Sequence, residues 1–558
     1  MKGVRATTAA AIATAFAFGL SCGGSDRLAS TNEPIDVPGP PPERDLAAFE
    51  PTVDVLTFQY NLARTGVASR ETILTPSSVS SGAFGKYATF AVDGYVYAQP
   101  LYVTERSIAG SADEVLFVAT QHDSIYAFDA SGATTQPLWR VSLLEPGETP
   151  VPAEDTKTTD IVPEVGITGT PVIDRLAELL YVVSKAKRSD GTYVQRLHAL
   201  RLVDGREAPG SPVEIAARVP GTSPDSVDGM IAFEPLRHNQ RSALALIDGR
   251  VVIAWASHGD NEPYHGWLMA YDTHDLTKPP AAYVTTPDGL AGGIWMGANG
   301  PSADADGNIY VASGNGSFED DSDEERTNFA LSALVLRLDG GKFTLKDWFS
   351  PLGTDTLNSG DRDFGTTAPI LMPARTGASP RRLVVGGKTG ILYVLDRDAM
   401  GRFDGETDHA IQTMTVPTGF LISNPVLFDD KLYICPHKRV MMTFPIDPVT
   451  GLFSDGPIGT APPCPGCFIR GSTPSVSANG TKDAIVWVID NTGFSSSLPG
   501  ILHAYDATDV SKELYASPAV ATDANAAAPA VKFTVPVVAN GHVFIGGQGA
   551  VTAYGLRR

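Results

Sequence analysis

The sequence predicts an all-β fold, an eight-bladed β-propeller. A short apolar phrase recurs eight times along the 558 residues, and a proline precedes seven of the copies. Repeats of this length built from short strands indicate a propeller or a solenoid, and eight units of up to four strands favour a ring of eight blades. The copies are IYAFD (125–129), LHALRL (197–202), LMAYD (268–272), LVLRLD (334–339), LYVLD (392–396), MMTFPID (441–447), LHAYD (502–506) and VTAYGL (551–556). The prolines are Pro100, Pro171, Pro301, Pro369, Pro425, Pro474 and Pro536, and SALALID (242–248) stands where the eighth would be.

The residues ahead of each copy are typical of β-strands. They are rich in Val, Ile and aromatic residues and are bounded by Gly, Asn, Asp and Pro. Each precedes its copy of the phrase, which predicts three successive strands of a blade, and no long amphipathic helix is indicated. Examples are EVLFVAT (114–120), ELLYVVS (178–184), RVVIAWA (250–256), NIYVASG (308–314) and RRLVVGG (381–387).

Closure of the ring is predicted from the two ends of the repeat region. The last copy of the phrase ends at residue 556, so the eighth blade lacks an outer strand. KYATFAV (86–92) precedes the first complete blade and can supply it. Joining the N- and C-terminal strands in one blade would remove open sheet edges. We therefore assign residues 54–558 to one propeller domain.

The N-terminal residues predict export. Residues 1–21 resemble a signal peptide, with a basic start and an apolar run too short to span a membrane. The run ends in a sequence similar to a bacterial lipobox, which makes Cys22 the expected lipidated residue; ordinary cleavage with a free Cys22 is the alternative. Residues 22–53 are Pro-rich and predict an extended tether. The expected location is the bacterial cell envelope, as an outer-membrane lipoprotein facing the periplasm or the surface, with the lipid anchor as its sole membrane contact.

The charge and the cysteine content limit which partners and which cofactor sites are expected. The chain has 42 basic and 63 acidic residues, a net charge of −21, and no Lys/Arg cluster, so no nucleic-acid partner is expected. Cys464 and Cys467 form a CxxC pair that no His follows, which excludes a c-type haem attachment site. In an oxidising compartment this pair predicts a small structural disulfide, with a redox role as the alternative.

Several segments resemble those of the quinoprotein alcohol dehydrogenase-like propellers, a family whose dehydrogenases use pyrroloquinoline quinone (PQQ). The resemblance covers about residues 58–556. AFDASGATTQPLW (127–139) is similar to the family's tryptophan-docking motif, which ties neighbouring blades together. NLARTG (61–66) and LTPSSV (74–79) look like its opening segment. The adjacent cysteine pair that covers the quinone in many of these enzymes is absent.

The resemblance implies a calcium site. Residues 257–272 resemble the segment that carries a glutamate ligand, but the aligned position is Asn261 and Glu262 is its neighbour. ASGNGSF (312–318) resembles the segment of the asparagine ligand, here Asn315, and Asp361 is expected nearby. Oxygen ligands of this kind suit calcium. Glu164 is an alternative replacement for the displaced glutamate.

The resemblance also implies a quinone site. GGIWMG (292–297) is similar to the segment whose tryptophan lies beneath the quinone, here Trp295, which could stack on a planar cofactor. SGDRDFGTTAPIL (359–371) resembles the segment of the catalytic aspartate, here Asp361 with Asp363 as the alternative. This carboxylate would take the proton of the substrate hydroxyl group. Lys388, in GGKTGILYVLDR (386–397), would bind the quinone carbonyl and stabilise developing negative charge.

Each of these residues also has a purely structural interpretation, such as packing between blades for Trp295 or a turn for Asn315. A transition-metal site built from His122, His258 and His265 is a further alternative. Two functional hypotheses follow. The chain is either a PQQ- and calcium-dependent dehydrogenase that oxidises an alcohol or sugar, or a non-catalytic propeller that binds proteins or glycans at the cell envelope. One fold hosts unrelated functions, so the fold alone does not decide between them.

Overall fold

The computed structural model describes residues 53–108, 112–319, 326–374, 381–417 and 420–557. The predicted signal peptide, Cys22 and nearly all of the predicted tether lie outside these ranges. None of the described helices is long and apolar enough to cross a membrane.

The described residues form an eight-bladed β-propeller, which confirms the predicted fold. Each blade is an antiparallel sheet whose strands follow one another from the inner to the outer edge. Blade 1 comprises Leu101–Ile108, Ala112–Ala119, Ser124–Asp129 and Pro137–Ser142. Blade 2 comprises Val172–Asp174, Leu179–Lys187, Tyr193–Arg201 and Val213–Glu214. Blades 3 and 4 comprise Ala245–Ile247, Arg250–Ser257, Trp267–Asp272 and Ala281–Val284, then Ser302–Ala303, Asn308–Ala312, Ala333–Asp339 and Lys342–Phe349.

The second half of the ring repeats the same pattern. Blades 5 and 6 comprise Ile370–Leu371, Arg382–Gly386, Ile391–Asp396 and Gln412–Thr415, then Val426–Phe428, Lys431–Ile434, Met442–Pro445 and Gly459–Thr460. Blades 7 and 8 comprise Ser475–Asn479, Lys482–Asp490, Ile501–Asp506 and Asp509–Ala516, then Val537–Ala539, His542–Gly546, Gln548–Leu556 and Phe84–Tyr95. Additional short strands extend three of these sheets: Val67–Ala68 pairs with blade 7, Thr149–Pro152 and Glu164–Val165 extend blade 2, and His238–Asn239 pairs with blade 3. Arg218–Pro220 and Met230–Ala232 form a separate two-stranded sheet. The helical turns are Pro76–Ser80, Ala153–Thr156, Met296–Ala298, Thr354–Ser359 and Thr492–Ser495.

The repeated phrase marks the third strand of every blade, and the proline stands directly before the first strand. Proline has no N–H to donate, so it is tolerated at the start of an edge strand. In blade 3 the first strand begins at Ala245, after Leu244, where the sequence has no proline. Each copy of the sequence repeat therefore corresponds to one blade, with the phrase at the same strand position every time.

Ring closure is as predicted. Phe84–Tyr95 pairs antiparallel with Gln548–Leu556, with Phe84 opposite Leu556 and Phe90 opposite Val551. This strand completes blade 8 on its outer side. The last blade therefore contains strands from both ends of the propeller.

A segment at residues 55–66 runs along the inner strands of the ring. Its hydrogen bonds reach all eight blades or the residues that directly precede their first strands. The contacts in blade order are Val55 to Tyr102, Leu56 to Ile173, Thr57 to Leu244, Leu62 to Ala303, Ala63 to Leu371, Thr65 to Leu427, Gly66 to Val476 and Tyr60 to Val538. The segment therefore fills the space between the inner strands.

Arg64 holds this axial segment in place. It is fully buried, and its guanidinium donates to the carbonyl oxygens of Phe58 and Pro301 and to Oγ1 of Thr57. Burial lowers its pKa to about 9. The resemblance identified this region only as an opening segment; its position along the axis comes from the tertiary structure.

Neighbouring blades pack through buried apolar faces, and the predicted docking motif joins two of them. Nε1 of Trp139, in the outer strand of blade 1, donates to the carbonyl oxygen of Leu202 in blade 2 at 3.0 Å. A Cβ on Gly205 would lie 2.6 Å from the Trp139 ring. Glycine is therefore needed where the indole crosses to the next blade.

Candidate functional site

A cavity of about 230 Å³ lies at one face of the ring. Its lining residues come from the connections between successive blades and from the turns between second and third strands. This volume is slightly below the roughly 300–1,000 Å³ typical of small-molecule sites. Trp295, Asn315, Asp363 and Lys388 all line it, although Trp295 and Asp363 lie in two different connections between blades and Asn315 and Lys388 in turns of two different blades.

Asp363 and Lys388 form an ion pair in the wall of this cavity. Lys388 Nζ lies 2.6 Å from Asp363 Oδ2, and each side chain is only 19% exposed. The backbone N–H of Asn315 donates to Asp363 Oδ1 at 2.8 Å. A Cβ on Gly314 would lie 2.8 Å from the same oxygen, so glycine permits this close approach.

Burial and the ion pair act in opposite directions on the pKa of both groups. Burial raises the pKa of Asp363 above that of an ordinary carboxyl group, although Lys388 opposes the shift. Burial alone would lower the pKa of Lys388, but the carboxylates of Asp363 and Asp361 outweigh it and raise this pKa. Lys388 therefore stays protonated, and Asp363 is a stronger base than an exposed aspartate.

Asp361, the predicted catalytic aspartate, lies on the outer side of the same lysine. Its Oδ1 is 2.7 Å from Lys388 Nζ, but its side chain is 70% exposed and does not line the cavity. Asp361 follows the short helix Thr354–Ser359 and has a left-handed backbone (φ 49°). The structure thus brings both predicted aspartates to Lys388, and the alternative residue, Asp363, is the one that reaches the cavity.

Asn261 and Glu262, the predicted ligands from blade 3, also lie outside the cavity lining. Asn261 Nδ2 donates to the carbonyl oxygens of Thr156 and His258, at 3.1 and 2.7 Å, and Glu262 is exposed. The preceding residue, Asp260, lines the cavity, and its Oδ1 accepts from Tyr264 Oη at 2.9 Å. Asp260 was not predicted from the sequence, although a shift of one position in the alignment would have identified it.

The oxygen atoms at this end of the cavity fit a calcium ion. Asn315 Oδ1 is buried and has no hydrogen-bond partner among the described residues. Such an acceptor costs about 1–3 kcal/mol unless something binds it. The carboxylates of Asp260 and Asp363 line the same cavity, and hard oxygen donors of this kind suit calcium.

The other predicted metal ligands have separate partners. His122 Nδ1 bonds Glu164 Oε1 at 2.8 Å, and neither residue lines the cavity. His258 Nε2 contacts Lys185 Nζ at 2.7 Å, whereas His265 Nε2 contacts Asp225 at 3.1 Å. Within the described ranges, no three His, Cys, Asp or Glu residues are grouped as a metal site.

Trp295 forms an apolar part of the cavity wall and is partly exposed. Its ring meets that of Phe533 edge to face, with centroids 5.4 Å apart and planes at 83°. No planar ligand can lie between the two rings at this spacing. A stacked cofactor must therefore contact the part of Trp295 that faces the cavity, which the exposure of the ring permits.

Three basic residues in the cavity wall were not predicted from the sequence, namely Arg241, Arg470 and Lys532. They lie in the connections that lead into blades 3, 7 and 8. They are far apart in sequence, so no local motif indicated them. Arg470 shares its connection with Cys464 and Cys467, which the structure joins in a disulfide with Cα atoms 5.5 Å apart.

Comparisons with known proteins support the fold. No protein-family model matches the sequence, and no curated protein matches it. A quinohemoprotein alcohol dehydrogenase from Comamonas testosteroni superposes with a TM-score of 0.58 at 15% identity, covering 92% of this chain and 82% of that one. The quinohemoprotein alcohol dehydrogenase ADHIIG from Pseudomonas putida HK5 has a TM-score of 0.56 at 15% identity and the same coverage. This chain therefore has the PQQ-type eight-bladed propeller fold.

Proposed function

We propose that this chain is a dehydrogenase that oxidises an alcohol or sugar with PQQ and calcium in the described cavity. The observation that carries the proposal is the convergence of Trp295, Asn315, Asp363 and Lys388 on one cavity. Each comes from a segment that resembles a cofactor-binding segment of the quinoprotein propellers. The similarity in fold to two quinohemoprotein alcohol dehydrogenases supports the same reaction class.

The side chains divide the work of binding and proton transfer. Trp295 would hold the flat face of PQQ, and Lys388 would bind its carbonyl edge. Asn315 Oδ1 and Asp260 would hold calcium, with Asp363 beside them. When bound, PQQ supplies the two-electron acceptor and calcium supplies Lewis acidity.

Asp363 is the general base of the proposed reaction. It takes the proton of the substrate hydroxyl group, because it is the carboxylate that both lines the cavity and contacts Lys388. Lys388 keeps its positive charge, since two carboxylates surround it, and so stabilises negative charge on the acceptor side. The proposal thus transfers the base assignment from Asp361 to Asp363.

Titration of the purified chain with PQQ, with and without calcium, tests the proposal. We expect saturable one-to-one binding that needs calcium, measured by calorimetry and by quinone absorbance. A Trp295→Ala variant should weaken this binding, and dye reduction with a panel of alcohols and sugars then identifies the substrate. Failure to bind PQQ with calcium present would refute the proposal and direct the search to envelope proteins and glycans.

We also propose that the chain is anchored at the bacterial cell envelope through a lipid on Cys22. The support is the lipobox-like sequence that follows the apolar run. A cell labelled with a fatty-acid analogue should incorporate the label into the chain, and a Cys22→Ala variant should not. Label in the variant, or none in the parent, would contradict the anchor.

A further inference from the structure

The cavity has a positively charged wall that the proposed reaction does not use. Arg241, Arg470 and Lys532 line it, from the connections into blades 3, 7 and 8. In a ring of eight, blades 7 and 8 lie across the axis from blades 3 and 4. Arg470 and Lys532 therefore start on the side opposite Asp260 and Asn315. Arg241 starts on the blade 3 side, but its guanidinium reaches the carbonyl oxygen of Phe533, the residue that follows Lys532.

Two of these three charges are buried. Arg241 is 3% exposed and Lys532 is 8% exposed. The guanidinium of Arg241 donates to the carbonyl oxygens of Thr168 and Phe533, at 2.8 and 3.5 Å. These neutral acceptors do not compensate its charge.

Among the described residues, little negative charge lies near the three basic side chains. Lys532 Nζ has one carboxylate within ion-pair distance, Asp160 at 3.6 Å, and that side chain is 67% exposed. The guanidinium of Arg470 lies over the ring of Phe494, 5.8 Å from its centroid. Burial lowers the pKa of Lys532, Asp160 opposes the shift, and the nearby charges of Arg470 and Arg241 add to it. Both arginines are thus close enough to Lys532 to repel its charge.

An anion in the cavity would relieve this repulsion. Buried charges are costly unless they are paired, and the cost is not offset here by a buried carboxylate. Guanidinium groups bind carboxylates with two parallel hydrogen bonds, and an ammonium group adds a third donor site. The chain as a whole has a net charge of −21, so the excess of positive charge in this wall is local and opposes the overall balance.

We propose that Arg241, Arg470 and Lys532 form a subsite that binds a carboxylate group of the ligand. The ligand class is a hydroxy acid or sugar acid, whose hydroxyl group would reach Asp363 on the opposite side. The inference rests on the proposed function for the oxidation of that hydroxyl group. Binding of the carboxylate itself needs no redox step, so it can be tested separately. The carboxylate could also belong to PQQ, which is itself a carboxylic acid.

Calorimetric titration with gluconate and with sorbitol tests the subsite, because both probes are open-chain six-carbon polyols that differ mainly in the carboxylate. The protein without PQQ should bind gluconate in a salt-sensitive manner and should bind sorbitol at least tenfold more weakly. Lys532→Met and Arg470→Gln should each weaken gluconate binding about tenfold or more, the loss expected for one charge-assisted contact. Lys512→Met, a lysine on the exposed outer strand of blade 7, is the matched control and should change nothing. Circular dichroism and thermal unfolding check that each variant is folded.

A second titration, with PQQ in the presence of calcium, separates the two sources of the carboxylate. If the substrate supplies it, gluconate binds to PQQ-saturated protein and the two variants keep their PQQ affinity. If PQQ supplies it, PQQ competes with gluconate and both variants lose PQQ affinity. If the folded variants bind gluconate and PQQ as tightly as the parent does, the subsite is overturned and the proposed function is unaffected. Gluconate binding without PQQ binding supports the subsite and overturns the proposed function.

Discussion

The two aspartates bound to Lys388 allow a sharp test of the site. Asp363 and Asp361 lie at nearly the same distance from Lys388 Nζ, 2.6 and 2.7 Å. Asp363 lies in the cavity wall, whereas Asp361 is largely exposed. Asp363→Asn and Asp361→Asn each remove one negative charge with almost no change of shape. They differ in whether the lost charge lies in the cavity wall or on the exposed surface.

The expected losses differ by orders of magnitude. A general base contributes about 10²–10⁴-fold to rate, so Asp363→Asn should reduce kcat by that factor. An exposed ion pair contributes about 0–1 kcal/mol, which corresponds to at most about fivefold for Asp361→Asn. Asp363→Asn should also lower the free energy of unfolding by about 1–3 kcal/mol, because Lys388 loses its buried partner.

Initial rates of dye reduction with saturating PQQ and calcium measure the first difference, and urea unfolding measures the second. The pH profile of kcat/KM adds a further readout. Activity of the parent should fall as the pH drops through the pKa of Asp363, because the base becomes protonated, and this limb should disappear in Asp363→Asn. Comparable losses in both variants, or a larger loss in Asp361→Asn, would refute the assignment of the base.

Other parts of the structure give further predictions. Asn315→Ala should raise about tenfold the calcium concentration needed for half-maximal thermal stabilisation. Glu262→Gln should leave that concentration unchanged, since Glu262 lies outside the cavity. An effect of Glu262→Gln alone would contradict the proposed calcium ligands. Burial lowers the pKa of Lys185 from 10.5 to about 7, so the unfolded chain binds more protons between these values. The free energy of unfolding should rise with pH from about 7 to about 10.5, by at most roughly 4–5 kcal/mol, and Lys185→Met should lack this part of the rise in urea titrations at several pH values. Arg64→Met should lower the free energy of unfolding by about 2–4 kcal/mol, because buried carbonyl groups lose their donor; an unchanged urea midpoint would show that the axial segment does not depend on this residue.

The fold could be predicted from the sequence because its signals are local and repeated. Each blade carries its own third-strand phrase, and a proline marks the inner strand of seven blades. Closure needed only one additional strand, which KYATFAV (86–92) identified. Trp295, Asn315 and Lys388 were predicted because their short segments resemble known ones, and the structure brings all three to the cavity.

Which carboxylates reach the cavity was decided by the tertiary structure. Asp260 and Asp361 both have left-handed backbone conformations, at φ 53° and 49°, in irregular connections. In such a connection one residue changes the direction of a side chain, so ungapped alignment cannot distinguish Asp260 from Asn261 or Asp363 from Asp361. Burial and the position of Lys388 make the distinction.

The basic wall of the cavity depends entirely on the closed ring. Arg241, Arg470 and Lys532 are separated by 229 and 62 positions and share no motif. They meet because the blades follow one another around the axis, which places the connections into blades 3, 7 and 8 on the same face of the ring. The sequence by itself therefore determined the number of blades, their strands and their closure, which depend on local patterns. The tertiary structure decided which charges share a cavity, because that depends on contacts between residues that lie far apart in the chain.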